Sequence, residues 1–150
     1  MAGKHIVQPM VVLMAWTMIV WAWMYATRIP AMQKAQIAPD DARETGALDR
    51  ALPPEVQWKA HNYNHLHEQP TVFYAVALVL AYVGHGENMN AFLAWIYVAL
   101  RVAHTLVQVT SNRVMVRFVL FALSSLVLGA LIFNAFVLVF GLGEASPLVG

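Results

Sequence analysis

Residues 6–26 read IVQPMVVLMAWTMIVWAWMYA, an apolar run without a charged side chain. As an α-helix, such a run crosses a bilayer core of about 30 Å. A secretory leader has a shorter apolar region ending on small residues, whereas this run carries Trp16, Trp21, Trp23 and Tyr25 toward its end. Aromatic side chains suit a membrane–water interface, so the reading is a retained membrane helix. Composition extends that reading to the whole chain. Of 150 residues, 60% are hydrophobic and 11% charged, with a mean hydropathy of +0.60. An average soluble domain is about 25% charged, so this chain has too little polar surface to cover a water-soluble globule. The absence of cysteine excludes a disulfide scaffold, a thiolate metal site and a cysteine nucleophile. A formal net charge of +1 argues against nucleic acid as a partner. The expectation is an all-α integral membrane protein, one four-span domain over residues 1–150, in contact with membrane lipid.

Working outward, residues 27–57 gather Arg28, Lys34, Asp40, Asp41, Arg43, Glu44, Asp49, Arg50 and Glu55 among Pro30, Pro39, Pro53 and Pro54. Mixed charge and scattered proline predict a solvated loop, with Pro53-Pro54 just before a helix start. The second helix, residues 55–83, begins polar (VQWKAHNYNHLHEQ) and ends apolar (PTVFYAVALVLAYV). As one rod it would be about 42 Å long. Pro70 sits in its middle and should kink it or free a nearby carbonyl. A third span over residues 89–109 and a fourth over 114–140 follow, separated by Thr110-Ser111-Asn112, and the tail GLGEASPLVG reads as a frayed end. Arg28, Lys34, Arg43, Arg50 and Lys59 belong to the first connection, and Arg113 and Arg117 flank the third. By the positive-inside rule these connections are cytoplasmic and both termini lie outside.

Polar side chains at membrane depth are costly and mark functional sites. His61, Asn64, His65 and Glu68 fall at helical offsets 0, 3, 4 and 7, and Arg101, His104, Thr105 and Gln108 repeat that spacing. Both stripes are expected in the cytoplasmic half, with Glu68 and Arg101 as an ion pair. Such a pair by itself need only fix helix register. Arg28, Arg113 and Arg117 near the same surface point instead to a small anionic ligand that also carries an ammonium group. His61, His65 and Glu68 have the spacing of half a metal site, but helices 1 and 4 supply no second half, so no metal is expected. Ser125 and Gly129 form a small-xxx-small step that serves close packing within a subunit or between subunits.

The segments NHLHEQPTVFY (residues 64–74) and RVAHTLVQVTSNRVMVRF (101–118) resemble the MAPEG family, the membrane-associated proteins of eicosanoid and glutathione metabolism, and among them the bacterial members. The resemblance implies a homotrimer of four-helix bundles in a bacterial inner membrane. It also implies glutathione between subunits near the cytoplasmic face, and a small apolar electrophile arriving from the lipid. By that resemblance Arg101 and Glu68 hold glutathione, Arg28 and Arg113 are basic positions of the same site, and Arg117 is the catalytic residue beside the thiol. His61, Asn64, His65, His104 and Gln108 complete the implied binding set. This chain departs from the family pattern at several of them. His65 stands where the family has asparagine, His61 and Asn64 where it has arginines, and Gln108 where many members have tyrosine. Phe118 and Phe121 replace hydroxyl-bearing residues. The function implied is a glutathione-dependent transferase or peroxidase-like activity. A non-catalytic lipid- or partner-binding protein, or a structural subunit of a larger membrane complex, are the alternatives.

Overall fold

The computed structural model describes residues 4–43 and 46–142; the predicted frayed tail beyond Leu142 lies outside them. Their regular structure is helical: α1 (Lys4–Lys34), a 3-10 turn (Pro39–Ala42), α2 (Ala47–Ala51), α3 (Pro54–His65), α4 (Gln69–Tyr82), α5 (Asn88–Thr110) and α6 (Val114–Val139). Three helices, α1, α5 and α6, are long and apolar enough to cross a membrane.

Two expectations about the first half of the chain need correction. The loop predicted from residue 27 is helical as far as Lys34, because α1 continues through Arg28 and Pro30. Proline there costs a single backbone bond, to the exposed Ala26. The rod predicted for residues 55–83 is instead two helices with a break at Leu66–Glu68. Pro70 is the cause. It has no N–H, and its ring crowds the carbonyl four residues back, so it is tolerated only in the first turn of a new helix. That is where it sits, at the start of α4. The break leaves the His65 carbonyl, as its backbone donor, a long 3.4 Å contact from the Glu68 N–H.

Side-chain contacts fix how the helices run. The start of α1 meets the α4–α5 turn, where the Ile6 N–H donates to the Gly86 carbonyl at 2.9 Å. Farther along α1, Trp23 lies under the Lys59 ammonium, 5.8 Å from the ring centre, so α3 and α4 run back antiparallel to α1. Asn62 of α3 reaches Gln108 of α5, and Asn90 of α5 reaches Asn134 of α6, so each successive rod reverses. Ile6, Met10 and Leu13 of α1, spaced by three and four residues, meet Phe73, Ala77 and Leu80 of α4, Ala94, Tyr97 and Val98 of α5, and Leu128 and Leu131 of α6. Phe73 stacks on Tyr97 with centroids 4.4 Å apart. Outside this core lies a broad apolar surface, with Leu126, Phe133 and Phe136 exposed along α6 and Phe140 just past its end. A soluble protein would not leave such a face to water. At Gly129 a methyl group would touch nothing within 4 Å, so no helix of the same chain uses that half of the small-xxx-small step.

Candidate functional site

The polar side chains collect at one end of the bundle, around the last turns of α3 and α5 and the first turns of α6. The break at Leu66–Glu68 splits the face expected to hold His61, Asn64, His65 and Glu68 together. His61 and Asn64 turn toward α1 and the α2 segment, where they line a cavity of about 400 Å³ with Arg28, Asp49 and Tyr63. His61 Nε2 lies 3.1 Å from Asp49 Oδ1, and the Gln57 amide donates to the Leu48 carbonyl, which together fasten α2 onto α3. Arg28 is half-buried, and its Nε–H has no hydrogen-bond partner among the described residues.

His65 turns the other way, toward α5 and α6. Its ring lines a second cavity, of about 260 Å³, with His104, Arg117, Phe118 and Phe121. The His65 and His104 centroids are 5.1 Å apart, and those of His65 and Phe121 5.5 Å. Glu68 does not form the expected ion pair with Arg101. Its carboxylate takes His65 Nδ1 at 2.7 Å. The freed carbonyl explains the exchange: Arg101 Nη2 donates to His65 O at 3.1 Å, so the guanidinium is anchored by backbone that the Pro70 break released. Arg101 is only 1% exposed, yet its Nε and Nη1 have no hydrogen-bond partner among the described residues. Its guanidinium carbon lies 6.0 Å from the Phe121 ring centre. Arg117 donates to Asn112 Oδ1 at 2.5 Å, and its buried Nε is also without a partner.

Two expected binding residues stand apart. Gln108 is buried and accepts a 2.9 Å bond from Asn62, so its carbonyl oxygen braces α5 against α3 and the residue lines neither cavity. Arg113 is exposed at the start of α6 and also lines neither. Among the described residues no group of three His, Asp or Glu side chains is placed to hold a metal ion. Sequence reasoning missed the partners rather than the centres: Asn62 for Gln108, Asp49 for His61, Asn112 for Arg117. It also missed Gln69, which donates to Ser125 Oγ at 2.7 Å and accepts from the Tyr97 hydroxyl at 3.4 Å. Gln69 carried a signal, being a polar residue beside a proline in an otherwise apolar half-helix.

Chemically, this end combines buried cationic donors with spare hydrogens, one carboxylate open to solvent, and aromatic walls. Such a set suits an anionic molecule with an apolar reaction partner. Neither the curated proteins nor the solved structures gave a match. The model of the MAPEG family matches residues 6–137. Four-fifths or more of the sequence thus follows the pattern of one family of membrane proteins, and the chain belongs to the MAPEG family.

Proposed function

We propose that the protein is a glutathione-dependent membrane transferase or peroxidase-like enzyme, working as a homotrimer with the polar end at the cytoplasmic side. The observation that carries this reading is Arg101, a fully buried guanidinium with two donors lacking partners. Leaving a buried charge so incompletely bonded costs several kcal/mol, which a bound carboxylate offsets. Glutathione fits the residues present, with two carboxylates for the arginines, an ammonium for Glu68 and a thiol for the aromatic cavity. Arg28, His61 and Asn64 on one side of α3, and His65, Glu68, Arg101 and His104 on the other, are the residues to hold it, with Arg113 at the rim. The thiol substrate supplies the nucleophile. Arg117 favours its thiolate form, since a free thiol near pKa 8.5 is mostly protonated at neutral pH and a neighbouring guanidinium lowers that value. The exposed apolar face of α6 borders this cavity through Phe118. An electrophile dissolved in lipid reaches the thiolate from that side.

The same imbalance supports assembly with further copies: a neighbour packed on the open polar end shields what one chain leaves bare, and the family resemblance sets the number at three. Equilibrium dialysis of radiolabelled glutathione against the detergent-solubilised protein, with native mass spectrometry of the same sample, tests both. Saturable binding to a trimer is expected; monomers alone with no binding would defeat the proposal. One observation favours a second reading, a member that binds without catalysis. Gln108, where many members place a tyrosine, is occupied by Asn62 and offers no phenol to the site. Turnover of an activated aryl halide separates the two.

A further inference from the structure

A carboxylate, an imidazole and a cavity stand in line at the α3–α4 break. Glu68 Oε2 lies 2.7 Å from His65 Nδ1, and the His65 ring forms part of the 260 Å³ cavity wall beside Arg117 and His104. An ionised carboxylate only accepts hydrogen bonds, so Nδ1 carries the proton of the neutral ring and Nε2 holds the lone pair. The hydrogen bonds of the His65 ring among the described residues go through Nδ1, which leaves Nε2 to face the cavity side. The same break that turned Glu68 onto His65 also pins the His65 backbone to Arg101 through its carbonyl, so the residue is held at its ring and at its backbone. Arg101 and His104 from α5, Arg117 from α6 and Glu68 beside it are the charged and titratable groups that face this ring.

We infer that His65 is a general base for the thiol substrate and that Glu68 is its positioning residue, a role that rests on the thiol-transfer function proposed above. The thiol S–H bond breaks, a new N–H bond forms at His65 Nε2, and the electron pair stays on sulfur as the thiolate. When the thiolate adds to the electrophile, the imidazolium returns that proton to the anionic atom or leaving group created there. Atoms and charge balance without an outside oxidant or reductant. Arg117 and His65 then divide the work: the guanidinium stabilises the thiolate, and the imidazole accepts and returns its proton. His104 lines the same cavity without a carboxylate partner and is not assigned this role.

The test uses the full chain in mild detergent, with glutathione and an activated aryl halide as probes. Three quantities are followed against pH: glutathione affinity, ultraviolet thiolate absorbance of the bound thiol, and turnover. With glutathione saturating, His65→Gln is expected to lower turnover near neutral pH about 100-fold, well beyond its loss of glutathione affinity. Its thiolate signal shifts to higher pH, and its rate climbs about tenfold per pH unit where the wild type is level. Glu68→Gln, whose amide oxygen still accepts from Nδ1, retains more of the rate than Glu68→Ala, a ranking that a purely structural Glu68 would not give. If His65→Gln fails to assemble, His65→Asn carries the same test, asparagine being the residue the family resemblance sets there. Wild-type pH profiles and thiolate curves in the His65 variants, beside a wild type that binds and turns over, would overturn the dyad alone. A wild type that neither binds glutathione nor turns over the halide would overturn the dyad and the proposed function together.

Discussion

The two ends of this bundle treat buried polarity in opposite ways. At the end that carries the α4–α5 turn, Asn134 donates to Asn90 at 2.8 Å, and a dry core of Ile6, Leu80 and Leu131 lies beneath. At the other end, Arg28, Arg101 and Arg117 all keep buried nitrogen atoms without partners among the described residues, and so do Gln57, Asn62 and Thr105 through side-chain oxygens. Among the described residues along the rest of the bundle, only the Trp16 indole nitrogen is left in that condition. Packing alone would not produce this contrast, since an apolar replacement at Arg101 is energetically easier than an underbonded guanidinium. One end satisfies its buried polar groups within the chain; the other leaves several without partners among the described residues.

Apart from the Arg101 change taken last, the largest effect expected from breaking the contrast is at Arg117. Arg117→Ala should leave folding nearly intact and slow turnover at neutral pH by about 10- to 100-fold, with partial recovery as pH rises. The sign follows from the thiol: without the guanidinium its pKa returns toward about 8.5, so less thiolate is present at pH 7 and the deficit closes above that value. A pH–rate profile of both proteins checks it. Next comes the brace between α3 and α5. Asn62→Leu strands the Gln108 amide and should lower stability by about 1–3 kcal/mol, while Asn62→Leu with Gln108→Leu should lose less than the two single changes added together. Thermal unfolding in one detergent measures this cycle. The smallest effect belongs to the closed end: Asn134→Ala should cost about 1 kcal/mol of stability, on the same unfolding scale, and leave glutathione affinity unchanged.

How much of this was legible in the sequence depends on the range of the interaction. The spans of α1, α5 and α6 are written locally, as uninterrupted apolar runs of helical length, and hydropathy finds them. Arg101, His104, Arg117 and His65 were identifiable because polar residues at membrane depth are conspicuous. Their partners were not. Pairing Glu68 with Arg101 assumes a continuous helix; Pro70, expected to kink the helix or free a nearby carbonyl, instead ends it and frees one. Once the helix ends at His65, a backbone carbonyl becomes the acceptor for Arg101, and Glu68 swings to His65. Likewise the 46-residue separation of Asn62 and Gln108 leaves no local trace. The short helix at Ala47–Ala51 gave none either, being held to α3 by the Gln57 amide and the Asp49–His61 contact rather than by any apolar period of its own.

The central claim is that Arg101 is buried for a ligand and not for the fold. Arg101→Met addresses it directly, read out by calorimetric titration with glutathione and by thermal unfolding of the same ligand-free preparation. The account predicts that affinity falls by about 2–5 kcal/mol while stability is unchanged or rises by about 1–4 kcal/mol, because a buried and underbonded charge has been replaced by an apolar side chain of similar length. Lost stability with glutathione affinity intact would contradict it and make Arg101 a structural residue.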